Sequence, residues 1–196
     1  MTPIKDCLIN KNKSINPIWI MRQAGRYLPE FREIRKNNPD FIKLCLNPDL
    51  SKEITLQPIK RFGFDAAVIF SDILMVPYGI GQTVEFKKNF GPQLGDLNND
   101  ILENVSEKEF TNNLEPIYEL LEKLKNDPDL IGRDLIGFVG APWTLMVYMI
   151  NKVSPKNGLK DDFFRNELLI DKLLKTLDRL IKLHIKNQVE SGASII

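Results

Sequence analysis

The chain has 196 residues, enough for one domain with a sizeable core, and it is 43% hydrophobic and 27% charged, as ordinary soluble globular proteins are. Its 27 basic and 26 acidic residues leave a net charge of +1, which argues against a general nucleic-acid-binding protein, because such proteins usually carry a strongly basic face. The two cysteines, Cys7 and Cys45, lack the spacing of a metal site. They argue against a zinc site or a disulfide scaffold and favour a reducing compartment.

The sequence contains no segment typical of secretion or of a membrane span. The N-terminus, MTPIKDCLIN, lacks the long apolar stretch of a secretory signal. The longest uncharged run, residues 135–150, is shorter than the roughly 18–20 residues that a membrane helix needs. Gly137, Gly140 and Pro142 interrupt it, so we expect a buried strand, a turn and the start of a helix there.

The first third of the chain predicts strands alternating with helices. Ile18 to Met21 is apolar without polar alternation, which is typical of a strand covered on both faces. A short helix is expected over 29–37. A longer one begins at the cap Asn47-Pro48 and ends at Gly63, and the apolar run 65–70, DAAVIF, predicts a second strand.

The stretch from Ser71 to Asn99 is rich in Gly, Pro and Asn, and we expect a long functional loop there, with room for a short strand at Val84 to Phe86. Ser106 and Glu109 form the capping box of a helix that runs towards Lys125. The remaining predicted elements are a third strand at 135–139, a helix near 144–151, a flexible connection at 154–160, an amphipathic helix over 163–190 stopped by Gly192, and a fourth strand opening at ASII, 193–196.

Apolar strands that alternate with helices indicate a parallel α/β fold, either a barrel or a doubly wound sheet. In such folds the functional residues lie just beyond the carboxyl ends of the strands. Because the chain stops on a strand of the buried type, where the next functional residue would follow, we expect it to be the N-terminal part of a longer protein.

Arg22 and Arg26 are the first candidates for a functional role. Guanidinium groups bind carboxylate or phosphate in a bidentate fork, and Gly25 between them would let backbone approach a ligand closely. Gln23 shares this segment and is ambiguous. The alternative is a solvated loop in which Arg26 pairs with Glu30 and Arg22 is structural.

Asp72 follows the second strand, where a carboxylate could hold a base, a metal or a cation, although it could equally cap the following turn. The Tyr148 hydroxyl could donate to a ligand, or the ring could simply belong to the core. His184, the only histidine, is expected to be structural or exposed. The sequence lacks GxGxxG, P-loop, GxSxG and CxxC motifs, so nothing indicates a nucleotide, a covalent serine or a zinc ion.

Three segments together resemble the uroporphyrinogen decarboxylase family of haem biosynthesis: PIWIMRQAGRYLPEFREIR at 17–35, AAVIFSDILMVPYGIG at 66–81 and GFVGAPWTLMVYMI at 137–150. The first and third resemble the family's two signature stretches. The order and spacing of the segments also fit, and the resemblance runs through essentially the whole chain.

The resemblance implies a (β/α)8 TIM barrel, incomplete here, with residues 1–196 as a single domain truncated at its C-terminus. It implies a cytoplasmic homodimer that uses no cofactor or metal and binds neither nucleic acid nor membrane. The implied reaction converts the four acetate side chains of uroporphyrinogen III to methyl groups, giving coproporphyrinogen III.

The resemblance also implies roles for individual residues. The segment Arg22, Gln23, Ala24, Gly25 and Arg26 would bind the substrate carboxylates. Asp72 would bind the pyrrole N–H groups and stabilise the transition state, and Tyr148 would contact the substrate near a reacting acetate. The family also uses a later serine and a distant histidine, positions that this sequence lacks, and His184 is in the wrong place to replace the latter. We therefore expect this chain alone to be poorly stable and inactive or nearly so.

Two other interpretations stay open. One is a corrinoid-dependent or coenzyme M methyltransferase of the same wider superfamily, although the RQAGRY segment suits a polycarboxylate substrate better. The other is a non-catalytic protein that binds porphyrinogens or pairs with a full-length partner. Zinc-dependent methyl transfer would identify the first, and ligand affinity without CO2 release would identify the second.

Overall fold

The fold alternates helices with short strands. We analysed a computed structural model, which describes residues 1–14, 16–87, 89–97, 99–160 and 165–196. The helices are α1 Pro3–Ile9, α2 Pro29–Asn37, α3 Phe41–Cys45, α4 Pro48–Phe62, α5 Met75–Ile80, α6 Asn99–Asn104, α7 Glu107–Lys125, α8 Pro142–Asn151 and α9 Glu167–Ser191, with short 3-10 turns at Pro128–Leu130 and Pro155–Asn157. The strands are β1 Ala66–Val68, β2 Val84–Lys87, β3 Gly91–Leu94 and β4 Asp134–Ile136.

Strands β1 and β4 pair in parallel, with Ala67 opposite Leu135. On the far side of β4, Ile195 forms a parallel bridge to Ile136, so the predicted fourth strand takes its place in the sheet. On the other side of β1, the Asp65 N–H donates to the Ile18 carbonyl at 2.9 Å. The Ile18 segment, β1, β4 and the Ile195 segment therefore lie side by side in the order of the chain, with the β2–β3 hairpin outside this sheet, which is the arrangement of a βα barrel wall.

The first of these segments differs from the prediction of a buried strand at Ile18 to Met21. The residues of this run are between 42% and 75% exposed, and among the described residues the one backbone–backbone bond that joins it to the β1 segment comes from Asp65, just before β1. The Gln23 N–H bonds back to the Ile20 carbonyl at 3.1 Å and turns the chain. Exposure of this size means that the apolar side chains of the run are not packed between two layers as predicted.

The helices form a layer on one face of the strands. α4, α7, α8 and α9 pack on one another and on the face that carries Ala67 and Leu135, which together belong to the main core. A small second cluster on the opposite face joins Ile4 of α1 to Ala66 and Ile136. The sheet is thus covered by a thick helical layer on one side and by little beyond α1 on the other.

Local signals set the ends of the main helices, as predicted. The Asn47 side chain accepts the Leu50 N–H at 3.0 Å at the start of α4, and Gly63 ends that helix with φ +66°. Ser106 and Glu109 form the predicted capping box of α7. The N-terminal end predicted for the long helix, at residue 163, lies outside the described residues, and α9 is described from Glu167, where Asn166 caps it.

The expectation of a long loop from Ser71 to Asn99 is wrong where α5 and β3 form, whereas the short strand expected at Val84 to Phe86 is present as β2. The stretch contains helix α5 and an antiparallel hairpin, β2–β3. The hairpin is fixed to the end of α8, because the Leu94 N–H donates to the Lys152 carbonyl at 2.8 Å. Gln82 reinforces the link, since its Nε2 donates to the carbonyls of Gly95 at 2.9 Å and Met149 at 3.0 Å.

Candidate active site

The predicted site residues come from three loops, which leave the Ile18 segment, β1 and β4. In the second loop, the Thr55 hydroxyl oxygen accepts the Phe70 N–H at 2.9 Å and so fixes the chain just before Asp72. The second and third loops touch, since a side chain added at Gly140 would come within 3.2 Å of the Ile73 Cβ atom. The loops after β1 and β4 therefore form one surface at the carboxyl edge of the sheet.

Arg22 and Arg26 are exposed, and neither guanidinium makes an ion pair or hydrogen bond with any residue that the structure describes. The alternative expected from the sequence, an ion pair between Arg26 and Glu30, does not form. Glu30 pairs with Arg61 instead, and the Arg61 guanidinium donates two hydrogen bonds of 2.9 Å to its carboxylate. Both guanidinium groups of the RQAGR segment therefore keep their donors available for an anionic ligand.

Gln23 is buried and fixed to the protein. Its Oε1 accepts the Ile20 N–H at 3.2 Å, and its Nε2 donates to the Ala66 carbonyl at 3.0 Å. The amide therefore anchors the loop to the first residue of β1 and leaves little of the side chain for a ligand. The Tyr27 hydroxyl donates to the Gln23 carbonyl and closes the same turn. This anchoring role could not be distinguished from substrate binding by the sequence, where Gln23 was ambiguous.

Ala24 and Gly25, the middle residues of the segment, are partly exposed. Ala24 packs against the main core. A side chain added at Gly25 would meet only the Tyr27 ring, at an ordinary contact distance of 3.7 Å. The loop thus has an inner surface held by Gln23 and Ala24 and an outer surface that carries the two arginines and the open glycine.

Asp72 is half-buried, and one of its carboxylate oxygens caps the turn after β1. Its Oδ1 accepts the Leu74 N–H at 2.9 Å, as the capping alternative predicted, while its other oxygen bonds to no described residue. Burial raises the pKa of Asp72, and the Leu74 N–H and the charge of Arg22 oppose that rise. The Arg22 charge is thus close enough to act on the Asp72 carboxylate, which joins two of the predicted site residues.

Tyr148 lies on α8, half-buried against the main core, which agrees with both interpretations of this residue. No hydrogen bond joins its hydroxyl to Asp72 or to either arginine in the part of the chain that the structure describes. The structure places Tyr148 on the helix that follows the β4 loop. It does not bring the hydroxyl into direct contact with the other candidates.

Gln188, which was not among the predicted site residues, holds the third loop. Its Oε1 accepts the Phe138 N–H at 3.1 Å, and its Nε2 donates to the Phe138 carbonyl at 3.1 Å. Gln188 is fully buried, one helical turn after His184 on the inner side of α9. A polar residue on an apolar helical stripe was the signal that could have identified it.

No helix in the described part of the chain is both long and apolar enough to cross a membrane. Over the same residues, His, Cys, Asp and Glu side chains form no group of three or more that could hold a metal ion.

The comparisons with known proteins agree with one another. The family model "Uroporphyrinogen decarboxylase (URO-D)" matches residues 2–196. A uroporphyrinogen decarboxylase from Rickettsia felis is 39% identical over 191 residues, covering 96% of this chain and 55% of the relative. One from Mesorhizobium japonicum is 43% identical over 183 residues, covering 92% of this chain and 53% of the relative. The chain thus spans about half the length of these curated relatives.

A solved methyltransferase from Methanosarcina mazei superposes on this chain with a TM-score of 0.65, covering 97% of this chain and 56% of that one at 15% sequence identity. At that identity the likeness shows the fold alone. Together with the family match it identifies the architecture as part of a (β/α)8 barrel and not a doubly wound sheet. The match of the family model over nearly the whole sequence is decisive: the chain belongs to the uroporphyrinogen decarboxylase family.

Proposed function

We propose that this chain is the half of a uroporphyrinogen decarboxylase that binds the substrate and carries the catalytic residue Asp72. The whole protein would remove the carboxyl groups of the four acetate side chains of uroporphyrinogen III to give coproporphyrinogen III. The observation that carries the proposal is the exposed guanidinium of Arg22, whose charge acts on the half-buried Asp72, with the exposed Arg26 on the same loop. Cations beside a single carboxylate suit a ligand whose rim is anionic and whose centre donates N–H groups.

Arg22 and Arg26 would bind the carboxylates at the rim of the substrate. The substrate is an octa-anion, so fixed guanidinium groups supply both affinity and orientation. The ion pair between Arg61 and Glu30 supports this role, because Glu30 is then not available to pair with Arg26 and neutralise its charge. Gln23 and Ala24 would contribute by holding the loop in place, and Gly25 by leaving room for the ligand.

Asp72 would stabilise the cation that develops during the reaction. Protonation of a pyrrole carbon makes the ring cationic, and the electrons of the breaking C–C bond flow into that ring as CO2 leaves. A proton then adds to the remaining methylene carbon and the ring proton is lost, which leaves a methyl group on a neutral pyrrole. The substrate thus provides its own electron sink, and no cofactor is needed for this step. Burial disfavours the Asp72 charge in the free protein, so a cation forming beside it is stabilised more in the transition state than in the ground state.

Tyr148 would contact the substrate near a reacting acetate after a modest change in position. For the whole protein we propose a homodimer in the cytoplasm. The free state of Cys7 and Cys45 is compatible with a reducing compartment.

A chimaera tests the proposal. Residues 1–196 would be joined to the remaining part of the Mesorhizobium japonicum relative, beyond its matching segment. Incubated anaerobically with uroporphyrinogen III, the chimaera should form coproporphyrinogen, detected by the carboxylate count of the products. The intact relative is the positive control, and the chimaera carrying Asp72→Asn is the matched negative control.

The outcomes separate the competing interpretations. A folded chimaera without turnover, beside an active relative, would show that this chain does not supply the catalytic half. If the chain alone binds porphyrinogen without releasing CO2, and the chimaera also releases no CO2, the non-catalytic interpretation is supported. Zinc-dependent methyl transfer by the chimaera would support the methyltransferase interpretation instead.

A further inference from the structure

The chain leaves the sheet between Ile69 and Asp72, and a helix side chain holds it there. The Ile69 N–H donates to the Ile136 carbonyl at 3.0 Å and so continues the pairing of β1 with β4. The next N–H, that of Phe70, donates instead to the Thr55 hydroxyl oxygen on α4 at 2.9 Å. Thr55 therefore binds the backbone at the point where the strand pairing ends, two residues before Asp72.

The Thr55 hydroxyl is both a donor and an acceptor. It donates to the Ser51 carbonyl, one turn back in α4, at 2.7 Å, while it accepts the Phe70 N–H. Because the O–H donates to Ser51, the oxygen lone pairs remain available for Phe70. Thr55 is completely buried, so water does not compete for either bond.

The part of α4 that carries Thr55 is itself fixed to α3. The buried Ser51 hydroxyl donates to the Leu44 carbonyl at 2.9 Å. This junction lies close to the candidate site, since the Asp72 charge adds to burial in raising the pKa of the Cys45 thiol. A line of buried hydrogen bonds thus runs from α3 through Ser51 and Thr55 to the backbone that precedes Asp72.

The other hydrogen bonds of Asp72 are local. Its Oδ1 accepts the Leu74 N–H at 2.9 Å, and its carbonyl accepts the Met75 N–H at 3.1 Å. Both bonds lie within the turn, so they fix its shape but not its place at the edge of the sheet. Thr55 supplies a hydrogen bond that joins the start of this turn to the rest of the protein.

We propose that Thr55 is a positioning residue for the decarboxylation, acting through Phe70 to hold the Asp72 carboxylate where the cation of the substrate develops. This role rests on the proposed function and adds to it a residue of α4. A misplacement of about 1 Å at a catalytic group can cost about a hundredfold in rate. Loss of the Thr55 hydroxyl should therefore slow turnover, while the arginines, on a different loop, still bind the substrate.

The first test needs no turnover and measures amide hydrogen exchange in the 196-residue chain. Thr55→Val keeps the branched shape of the side chain and removes its hydroxyl. Exchange should become at least about tenfold faster at Phe70 and at Leu74, whose N–H Asp72 accepts, and stay unchanged within α7. Thr55→Ser should restore protection at both amides. If Leu74 keeps its protection in Thr55→Val while Phe70 loses it, Thr55 does not hold Asp72 and the proposal is overturned.

Thr176→Val is the matched control. Thr176 is also buried in a helix, α9, and its hydroxyl donates to the Lys172 carbonyl one turn back at 3.0 Å. Among the described residues it accepts no N–H from another element, so this variant should leave exchange at Phe70 and Leu74 unchanged. Equal acceleration in Thr176→Val and Thr55→Val would show a general loosening of the fold and would also overturn the proposal.

The second test is turnover of the chimaera with uroporphyrinogen III. Thr55→Val should lower kcat about tenfold and change KM by less than about twofold, and Thr55→Ser should recover most of the loss. With an active parent chimaera, an unchanged kcat in Thr55→Val, or a loss that appears in KM alone, would overturn the positioning role. A parent chimaera without turnover refutes the proposed function instead, and the exchange measurements then decide whether Thr55 holds Asp72.

Discussion

The hydroxyl of Tyr118 and the Nδ1 atom of His184 lie 2.9 Å apart and form a buried hydrogen bond between α7 and α9. The edge of the Phe110 ring packs against the same imidazole, with 6.2 Å between ring centroids. His184 therefore has a structural role, one of the two alternatives expected from the sequence. Its ionisation is tied to the packing of the two longest helices.

Acidification should destabilise the chain through His184. Burial lowers the pKa of His184 to about 4 from a usual 6.5. The unfolded chain therefore takes up this proton below pH 6.5, whereas the folded chain does so only near pH 4. The stabilisation is fully present above pH 6.5 and is lost as the pH falls towards 4, by up to about 3 kcal/mol. Urea unfolding at pH 7.5, 6 and 5 measures this slope.

The control is the double variant Tyr118→Phe/His184→Leu, which removes the titrating group and its partner together. Hydrogen bonds from Arg61 and Ser106 lower the pKa values of Glu30 and Glu109, so those carboxylates cost stability only below about pH 4.5. Burial raises the pKa of Asp72, which gives a slope of the opposite sign in both proteins, so the difference in slope between the parent and the double variant from pH 6.5 to 5 isolates the histidine. An unchanged slope in the double variant over that interval would contradict the assignment.

Asp72→Asn should stabilise the protein and abolish its reaction. Burial raises the pKa of Asp72, so the ionised carboxylate above that pKa costs folding free energy, and neutral asparagine does not. Asparagine can still accept the Leu74 N–H. We expect a melting temperature higher by roughly 1–4 °C at pH 7, and turnover of the chimaera reduced at least a hundredfold. Asp100→Asn, at an exposed acid, should change neither, and a destabilised but active Asp72→Asn would refute the role.

Gly25→Ala should separate binding from folding. The added methyl group would meet only the Tyr27 ring at 3.7 Å, so stability should change by less than about 0.5 kcal/mol. If the substrate approaches this backbone, porphyrinogen affinity should fall roughly tenfold. Gly79→Ala is the contrast, because its methyl group would lie 2.9 Å from the Phe110 ring and should cost about 1–3 kcal/mol. If the folded Gly25→Ala variant binds porphyrinogen as tightly as the parent, Gly25 is not part of the binding site.

Gln188→Leu should loosen the loop after β4. It leaves the Phe138 N–H and carbonyl without their partner, at a cost of about 2–3 kcal/mol measured by urea unfolding. Gln188→Glu keeps an acceptor for the N–H but buries a carboxylate beside the Phe138 carbonyl, so at pH 7 it should cost at least as much. Equal stability of the leucine variant and the parent would mean that the loop does not depend on this residue.

Much of the architecture could be predicted because its signals are local. The caps of α4 and α7 are side chains bonded to nearby backbone, and the segments around β1 and β4 are apolar runs of strand length. Their parallel pairing followed from the alternation of strands and helices. The position of Asp72 soon after β1, and that of Tyr148 on the helix that follows β4, could likewise be derived from the order of the elements.

What could not be predicted depends on tertiary contacts. Helix α5 contains Pro77 and Gly79, which disfavour a helix locally, and it forms because it packs on α7, where Gly79 lies against Phe110. The run Ile18 to Met21 has strand composition, but composition does not show whether a second layer covers it. The hydrogen bonds by which Gln188 holds Phe138 also cannot be predicted from local sequence, because the two residues are far apart in the chain.

The attachment of the β2–β3 hairpin to α8 has a dynamic consequence. The hairpin follows the Asp72 loop in the chain, and Leu94 and Gln82 join it to the end of the helix that carries Tyr148. Separating the β2–β3 hairpin from the end of α8 requires breaking the hydrogen bonds made by Leu94 and Gln82. The hairpin and the end of α8 should therefore exchange their amide hydrogens as one cooperative unit. A ligand that orders one of the two would then slow exchange in the other, even without touching it.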